Sequence, residues 1–294
     1  MSKLLVFGAS SLIGNFFIDT NYEYKLVCFS RKNKNFNFLD LQDETTFPNY
    51  KYENSFIVSF SPIWLIKNLL INLEQKNLSS LKTLKGIVVF SSSSATTKKY
   101  APNEFDKNLS KRLITSENKI LSICKKYSIN CIIIRPTIIY GSYKKLDDGN
   151  FSSIIKFFKK APFCIIPSKT GYRQPIHYSQ LSKLTYQILR QFDTVYSEDK
   201  KISVIEVGGD EELSYRDLLL RLSTFSNNFF KRKCWLIPIP NKLFYLLFTP
   251  FLIFKPKFFD EIYRIQSDLS GFPKYSFYTG ESPKRFPIDD QKNF

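Results

Sequence analysis

A turn of small residues follows the first apolar segment of the chain. Residues 3–7 read Lys-Leu-Leu-Val-Phe, and Gly-Ala-Ser-Ser-Leu-Ile-Gly follows at residues 8–14. Between a strand and a helix, such a turn lets the backbone approach a pyrophosphate, whose charge then lies at the helix N-terminus. An ordinary tight turn is the alternative, because glycine pairs at this spacing also occur without a ligand. The predicted cofactor contacts are Gly8, Ser10, Ser11, Leu12, Ile13 and Gly14.

The residue that closes the next strand bears on the type of dinucleotide. A second apolar strand at residues 24–29 ends at Ser30-Arg31-Lys32. In a dinucleotide site an acid at this place binds the ribose 2′-hydroxyl, whereas an arginine accommodates a 2′-phosphate. No Asp or Glu is present here, so NADP(H) is the preferred cofactor, with Arg31 as its ligand, and NAD(H) is the alternative. The competing interpretation is that Arg31 and Lys32 are solvated loop charges.

Strands and helices alternate along the first half of the chain. Strands are expected at residues 36–41, 55–62, 86–90 and 130–136, and helices at 63–73 and 109–127. This order predicts an α/β fold, a Rossmann-type doubly wound parallel sheet with a smaller C-terminal substrate lobe. Ligands of such sheets bind outside the carboxyl ends of the strands. Further cofactor contacts are therefore expected from Asp40, Leu41, Ser59, Phe60, Ser61 and Pro136.

Several segments together resemble a known family. The turn at residues 8–14, Asp40-Leu41, the serine run after Phe90 and Arg-Pro-Thr-Ile-Ile-Tyr-Gly at residues 135–141 resemble the extended and atypical short-chain dehydrogenase/reductases. The likeness is greatest to the NAD-dependent epimerase/dehydratase group, which acts on nucleotide sugars. Residues 171–178 look like that group's Arg-x-x-x-His segment beside the substrate diphosphate. Residues 207–209 and 213–218 are similar to the element that leads into its late helix.

The resemblance implies roles for several polar residues. Ser92, Ser93 and Ser94 correspond to the substrate-orienting hydroxyl, without fixing which serine provides it; a plain strand-end turn is the alternative. Arg173 is the expected phosphate ligand, since its planar fork matches diphosphate oxygens. His177 is assigned to the substrate and, from its ordinary titration range, to acid–base catalysis, with a structural role as the alternative. The implied substrate is a nucleotide sugar or a polyprenyl-diphosphate sugar.

The sequence departs from the family pattern at two places. Ser11 replaces the middle glycine of the turn. The catalytic Tyr-x-x-x-Lys pair is missing, because aligning the family's helix on Glu117 puts Leu113 at the lysine and Leu109 at the tyrosine. General acid–base assistance contributes about 10²–10⁴-fold to a rate. A catalytically inactive NAD(P)-binding sensor or scaffold is therefore the alternative function. The candidate substitutes are Tyr100, Tyr140, Tyr143 and Lys111.

Composition limits the class of protein. The formal net charge is +17 and 43% of the residues are hydrophobic, which is typical of a globular chain. The lysines are spread along the sequence with no basic stripe, so no nucleic-acid partner is expected. With one histidine and five cysteines at no close ligand spacing, no metal site is expected. Cysteines without a pairing pattern favour a reducing, cytoplasmic location. No apolar leader is expected, because residues 8–11 would interrupt its apolar run.

The expected domains are a Rossmann domain at residues 1–165, to which 173–205 return, and a substrate lobe formed by 142–172 and 206–294. Within that lobe, residues 243–254 are strongly aromatic and aliphatic but too few to span a bilayer, which needs about 20 apolar residues. Two interpretations stay open: buried helices, or peripheral contact with the inner face of the membrane. The family resemblance also raises the question of a homodimer formed through the helix at residues 109–127.

Overall fold

The computed structural model describes residues 2–20, 23–47, 52–194, 200–230, 234–250, 262 and 264–288, with the backbone alone at 228–230. The chain forms two compact units. The first unit is Met1–Pro136 with Tyr178–Val207, and the second is Thr137–His177 with Gly208–Phe294. Each unit is therefore built from two separate stretches of sequence.

Parallel strands form the centre of the first unit. Numbered in chain order, they are β1 (Lys3–Phe7), β2 (Lys25–Ser30), β3 (Asn37–Phe38), β4 (Ser55–Ser59), β5 (Gly86–Phe90), β6 (Asn130–Pro136) and β13 (Ile202–Val207). Among the described residues they make a seven-stranded sheet in the order β13-β6-β5-β4-β1-β2-β3, with every pair parallel. The strand order reverses at β1, which places a switch point between β1 and β4.

Helices cover both faces of this sheet. They are α1 (Leu12–Thr20), α2 (Ile63–Lys76), α3 (Leu78–Lys82), α4 (Ser94–Thr97), α5 (Glu104–Lys126) and α7 (Tyr178–Thr194), with a 3₁₀ turn at Glu44–Thr46. α1 packs against α7, and α2 packs against α5. Successive residues of β1, from Leu4 to Phe7, are fully buried, as expected for a strand covered on both faces. The predicted doubly wound α/β fold is confirmed.

Polar side chains cap two helices, and one of them, α5, begins earlier than predicted. α1 starts at Leu12, since the Ser11 hydroxyl accepts a hydrogen bond from the Gly14 amide at 3.1 Å. α5 starts at Glu104, since the Asn103 side chain accepts from the Asp106 amide at 2.8 Å. Such caps satisfy amides that the first turn of a helix leaves without an internal partner.

The second unit consists of short strand pairs and helices. Its strands are β7 (Ile139–Tyr140), β8 (Ser142–Tyr143), β9 (Leu146–Asp147), β10 (Phe163–Pro167), β11 (Tyr172–Arg173), β12 (Ile176–His177), β14 (Leu213–Ser214) and β15 (Trp235–Ile239). They pair as β7 with β12, β8 with β9, β10 with β15 and β11 with β14. The helices are α6 (Asn150–Lys160), α8 (Tyr215–Phe230), α9 (Asn241–Phe248) and α10 (Tyr275–Thr279), and Arg264–Gln266 is a 3₁₀ turn.

The observed units differ from the predicted domains. Residues 137–165, expected in the first domain and from residue 142 onward also in the substrate lobe, lie in the second unit. The physical reason is a strand pairing: after β6 the chain leaves the large sheet, and β7 pairs with β12 within the second unit. The five cysteines, all within the described residues, are free thiols. No helix in the described part of the chain is long and apolar enough to cross a membrane.

A buried glutamine joins three segments of the second unit. The Gln174 amide donates to the carbonyls of Gly209 and Phe272 at 2.8 and 2.9 Å and accepts from the Phe272 amide at 3.0 Å. A Cβ added to Gly208 would lie 2.5 Å from Gln174 Cδ, and one added to Gly209 would lie 1.9 Å from the Pro175 carbonyl oxygen. The Gly208-Gly209 pair is therefore required for this close packing.

We expect Gly209→Ala to destabilise the protein by about 2 kcal/mol or more, because the added methyl collides with backbone that cannot rotate away. Gly271→Ala is the matched control: a Cβ there meets no atom within 4 Å, although its φ of +81° is unfavourable. Its expected cost is about 1 kcal/mol. Urea unfolding of both variants measures the difference, and equal losses would contradict the close approach at Gly209.

Candidate functional site

The turn after β1 has the geometry of a phosphate cradle. Gly8 has a φ of +72°, and a Cβ on it would lie 2.8 Å from the Ser61 amide nitrogen. A Cβ on Gly14 would lie 2.5 Å from the Gly8 carbonyl oxygen. The turn closes through a hydrogen bond from the Ser11 amide to the Gly8 carbonyl at 2.9 Å. The backbone therefore passes directly from a buried strand to the N-terminus of α1 with no side chain in the way.

Ser11 has a definite role at this position. Because its hydroxyl caps α1 by accepting from the Gly14 amide, its side chain is turned back toward the helix. A serine thus occupies the place of the family's middle glycine by serving as the N-cap. From the sequence alone Ser11 is a departure from the family pattern, whereas the contact identifies it as part of the turn.

A cavity of about 280 Å³ opens beside this turn, at the carboxyl ends of β1 to β4. Its lining comes from the ends of four strands, as expected for the ligand crevice of an open parallel sheet. Of the predicted cofactor residues, the structure brings Gly8, Ser10, Arg31, Asp40, Leu41 and Ser61 together at this cavity. Residues not predicted also line it, namely Phe7, Phe29, Ser30, Lys32, Leu39, Gln42, Pro62 and Leu65.

A serine pair connects the turn to the end of β2. The buried Ser30 hydroxyl donates to Ser10 Oγ at 3.0 Å and accepts from the amides of Lys32 and Asn33, both at 3.1 Å. These bonds fix the course of the chain where Arg31 leaves the strand. Ser30 is a site residue that sequence reasoning missed, although a serine at a strand end that bonds its own following amides is a common turn pattern.

Arg31 and Asp40 face each other across the cavity rim. The Arg31 guanidinium lies 3.6 Å from Asp40 Oδ2 and 3.5 Å from Gln42 Oε1, and half of its side chain is exposed. At such distances an exposed ion pair contributes little to stability. Arg31 is therefore held near the rim by weak contacts, with its charge accessible to a ligand.

Other predicted cofactor residues have structural contacts. Ser59 is buried and accepts from the Ser61 amide at 3.2 Å, and the Phe60 ring packs against Phe17 and Phe90. The Pro136 carbonyl, at the end of β6, accepts from the Ser93 amide at 3.0 Å. Leu12 and Ile13 form the first turn of α1. For these residues a cofactor contact stays a prediction.

The serine run after β5 forms a capped turn. Ser92 Oγ accepts from the Ser94 amide at 3.1 Å, and Ser93 directly precedes the one-turn helix α4. Both the substrate-orienting hydroxyl and the plain turn are compatible with these contacts, so the assignment of Ser92, Ser93 or Ser94 stays a prediction. Ser91, just before them, donates instead to the buried Glu117 carboxylate.

A buried charge cluster anchors α5 to the sheet. Arg135 donates from Nε to Glu117 Oε1 at 2.9 Å and from Nη2 to Glu117 Oε2, and its Nη1 reaches Glu206 Oε1 at 3.3 Å. The Glu117 carboxylate raises the pKa of the Arg135 guanidinium. Sequence reasoning missed this cluster. The signal that could have revealed the cluster was Glu117 on the apolar face of α5, since a buried carboxylate needs a charged partner.

The positions expected for the catalytic Tyr-x-x-x-Lys pair are occupied by leucines that pack in the core. Leu113 is 4% exposed within the main hydrophobic cluster of the first unit, and the half-buried Leu109 packs against the same cluster. Neither can transfer a proton. Of the candidate substitutes, Tyr100 and Lys111 are exposed, Tyr143 is half-buried, and the buried Tyr140 accepts from the Ile288 amide through its hydroxyl at 3.0 Å.

Arg173 is bonded within the second unit. Its guanidinium donates to the carbonyls of Tyr172, Ser267 and Arg264 and lies over the Tyr215 ring at 5.3 Å. The side chain is buried, and burial lowers the pKa of Arg173. A role as diphosphate ligand stays a prediction; the three carbonyls engage two N–H groups of Nη1 and one of Nη2, out of the five that a guanidinium carries.

His177 lies in β12 and is 1% exposed, with its ring 5.0 Å from the Tyr140 ring. Burial, assisted by the positive charge of Lys284, lowers the pKa of His177 to about 3. The imidazole is therefore neutral at physiological pH. Burial thus removes the ordinary titration range on which the sequence argument relied, and a role of His177 in acid–base catalysis stays a prediction. Within the described residues, no cluster of His, Cys, Asp and Glu can hold a metal ion.

Solved structures with the same architecture are known. MlghC, a GDP-mannoheptose C4 reductase from Campylobacter jejuni with NADP bound, is 14% identical with a TM-score of 0.61, over 82% of this chain and 91% of that one. MoeE5 in complex with UDP-glucose and NAD is 13% identical with a TM-score of 0.62, over 97% and 94%. The UDP-glucuronic acid 4-epimerase of Bacillus cereus, with UDP-glucuronic acid and NAD, is 17% identical with a TM-score of 0.57, over 80% and 86%.

The chain has the fold of these proteins. At such identities the likeness establishes the fold alone, and the fold agrees with the resemblance inferred from the motifs. No family model matches the sequence, and no curated protein matches it.

We expect Ser11→Ala to lower the free energy of unfolding by about 1 kcal/mol, because the Gly14 amide loses its capping acceptor. Ser11→Gly should cost only a few tenths of a kcal/mol, since glycine is tolerated at an N-cap. Urea unfolding of the two variants separates a capping role from a loss of bulk. If Ser11→Gly were the more damaging change, the capping role would be wrong.

The burial of His177 predicts a pH-dependent stability. Below about pH 6.5 the unfolded chain protonates this residue and the folded protein does not, so stability falls toward acid by up to about 1.4 kcal/mol per pH unit. His177→Gln should flatten this slope between about pH 7 and pH 5, where carboxylates remain charged. Urea unfolding across that range checks it, and parallel curves for the two proteins would show that folded His177 titrates normally.

Proposed function

We propose that the chain binds NADP(H) in the cavity of its first unit and acts as an oxidoreductase of the epimerase/dehydratase kind on a diphosphate-linked sugar. The observation that carries this proposal is the turn at residues 8–14. Its glycines lie where a Cβ would collide with backbone, and it opens onto a cavity lined by Arg31.

The residues present fit a dinucleotide. The first-turn amides of α1 supply donors for a pyrophosphate, and the helix dipole favours its charge. Ser10, held by Ser30, adds a hydroxyl beside the turn. Among the apolar lining residues, the part-exposed Leu65 provides surface for a flat ring system, and Phe7 and Leu39 are buried beneath the cavity. Asp40 adds an acceptor at the end of the cavity formed by β3.

Arg31 supports the preference for NADP(H). Its side chain is half exposed, and its two polar neighbours lie at 3.5 and 3.6 Å, so a phosphate competes with weak contacts only. Lys32 adds a second positive charge at the same rim. A charge-assisted hydrogen bond from a guanidinium to a phosphate is stronger than either existing contact.

A nicotinamide cofactor supplies hydride transfer when it is bound. The sugar-diphosphate substrate is proposed from the bound nucleotide sugars of the structural neighbours, UDP-glucose and UDP-glucuronic acid. In this chain, Ser92 to Ser94 offer hydroxyls at the end of β5, and Arg173 with His177 are the proposed substrate-side residues. A polyprenyl-diphosphate sugar has the same diphosphate chemistry and belongs to the same proposal. A cytoplasmic location and a homodimer through α5 stay predictions.

A second candidate function is NADP(H) binding without turnover. The observation that favours it is the pair of leucines on α5: Leu113 is buried in the core, so the helix face that should carry the proton-transfer groups is apolar. A protein of this kind senses the cofactor or assembles with a partner.

We expect the protein to bind NADPH more tightly than NADH. Arg31→Ala should weaken NADPH binding by about 10-fold or more, which corresponds to the loss of one hydrogen bond to a charged group. NADH binding should change little. Lys34→Ala is the matched control, because Lys34 is an exposed loop cation that does not line the cavity. Titration followed by the fluorescence of the reduced cofactors measures all three proteins.

The result separates the candidates in two steps. Absence of binding by either cofactor overturns both functions, and equal weakening of NADPH and NADH by Arg31→Ala overturns the preference for NADP(H). Where NADPH binds, hydride exchange is then assayed with a panel of UDP-, GDP- and polyprenyl-diphosphate sugars. Turnover supports the oxidoreductase, and tight binding without turnover of any sugar supports the second candidate.

A further inference from the structure

The outer face of a two-stranded sheet in the second unit is apolar and exposed. β10 and β15 are parallel, with Phe163 opposite Trp235 and Ile165 opposite Ile237. These four side chains are 54%, 61%, 37% and 44% exposed, respectively. The alternate residues Ile166 and Leu236 face inward and pack in the hydrophobic cluster of this unit. The strands thus place a row of large apolar side chains in solvent.

Helix α9 extends this exposed surface. It follows β15 directly, and Asn241 at its start bonds the Lys169 amide and carbonyl, both at 2.9 Å, just beyond the end of β10. Leu243, Leu246 and Leu247 share one face of α9 and are 46%, 67% and 52% exposed. We call these three leucines and the four strand residues the apolar surface of the second unit. Folded proteins usually expose large apolar side chains singly, whereas here seven of them lie on adjoining elements.

The segments that form this surface contain no acidic residue. The sequence has no Asp or Glu between Asp148 and Asp193, which includes β10, or between Asp217 and Asp260, which includes β15 and α9. Exposed lysines flank the surface at Lys159, Lys160, Lys169 and Lys242. Residues 251–259, which lie outside the described residues, continue the same composition as Phe-Leu-Ile-Phe-Lys-Pro-Lys-Phe-Phe.

We propose that the apolar surface of the second unit docks this protein onto an anionic phospholipid bilayer. Its Trp, Phe and Leu side chains insert into the boundary between headgroups and acyl chains, while flanking lysines contact the lipid phosphates. The short length of α9 and the absence of a spanning helix among the described residues suit attachment in the plane of the membrane.

The charge pattern favours lipid over a second copy of the chain. In a two-fold symmetric dimer the same surface faces itself, so its lysines would meet lysines with no acidic residue from these segments to pair with them. An anionic bilayer supplies the missing negative charge. The proposal uses no residue of the cofactor cavity, so it does not depend on the proposed function.

Vesicle flotation tests this attachment with the full-length protein. The protein should float with vesicles of phosphatidylcholine and phosphatidylglycerol and much less with phosphatidylcholine alone. Raising the salt from about 0.1 M to about 1 M should reduce the bound fraction, because it screens the lysines. Absence of flotation with the anionic vesicles, or equal flotation with both lipid compositions, overturns the proposal.

Matched variants locate the contact. Trp235→Gln with Leu246→Gln should reduce the bound fraction at least about five-fold, since apolar burial and charge both contribute to such binding. Tyr100→Gln with Phe277→Gln removes two exposed rings elsewhere, 86% and 79% exposed, and should leave flotation unchanged. Circular dichroism melting confirms that each variant is folded. Equal losses in the two double variants would overturn the assignment of the contact to this surface.

Charge variants and mass measurement complete the test. Lys159→Gln, Lys160→Gln and Lys242→Gln together should weaken flotation, whereas Lys34→Gln, Lys107→Gln and Lys111→Gln together should not. Analytical ultracentrifugation without lipid should give the same mass for the wild-type protein and for the Trp235→Gln, Leu246→Gln variant. A dimer that this variant abolishes, together with no flotation, would instead assign the surface to a second copy.

Discussion

Three backbone segments approach one another closely at the carboxyl end of β1, and the packing of the first unit around its cavity depends on this contact. Gly14 packs against the Gly8 carbonyl and Gly8 packs against the Ser61 amide, at distances that leave no room for a Cβ. This contact sets the angle at which α1 leaves the sheet and aligns the end of β4 beside it. Because neither glycine carries a side chain, space remains beside the turn, and Ser10 lines it. The cavity is therefore a consequence of how the strand, the turn and the helix pack, and Ser11 closes the arrangement by capping α1.

The contacts that hold α5 in place are present, but the proton-transfer groups expected on α5 are not found there. Glu117 ties α5 to β6 through Arg135 and to the end of β5 through Ser91. Removing either partner of a buried ion pair leaves an uncompensated charge, so this cluster resists substitution independently of any reaction. The same helix presents leucines where proton-transfer groups are expected. The contacts that position α5 are thus present, while the face on which the resemblance places proton-transfer groups is apolar.

Local patterns predicted the central strands, because a buried parallel strand is a continuous apolar run whatever surrounds it, as in β1, β5 and β6. The first turn of α5 was missed because residues 104–108 show no apolar periodicity, and only the Asn103 cap marks its start. The environments of Arg173 and His177 could not be predicted. The carbonyls that Arg173 bonds include two that are 91 and 94 residues away, and the pKa of His177 depends on burial created by the fold. A motif thus identifies residue types at a site but not the partners that decide their chemistry.

The division of each unit into two stretches affects the order in which the chain folds during synthesis. β6 is complete at Pro136, but its outer partner β13 begins at Ile202, after the first stretch of the second unit has been made. Until then β6 is an edge strand with unpaired backbone groups along the apolar run of residues 131–134. The nascent sheet is thus open to pairing with other chains over the synthesis of some sixty residues, which at about 5–20 residues per second lasts several seconds. The exposure of this edge during synthesis is a consequence of the topology rather than of the sequence of any one strand.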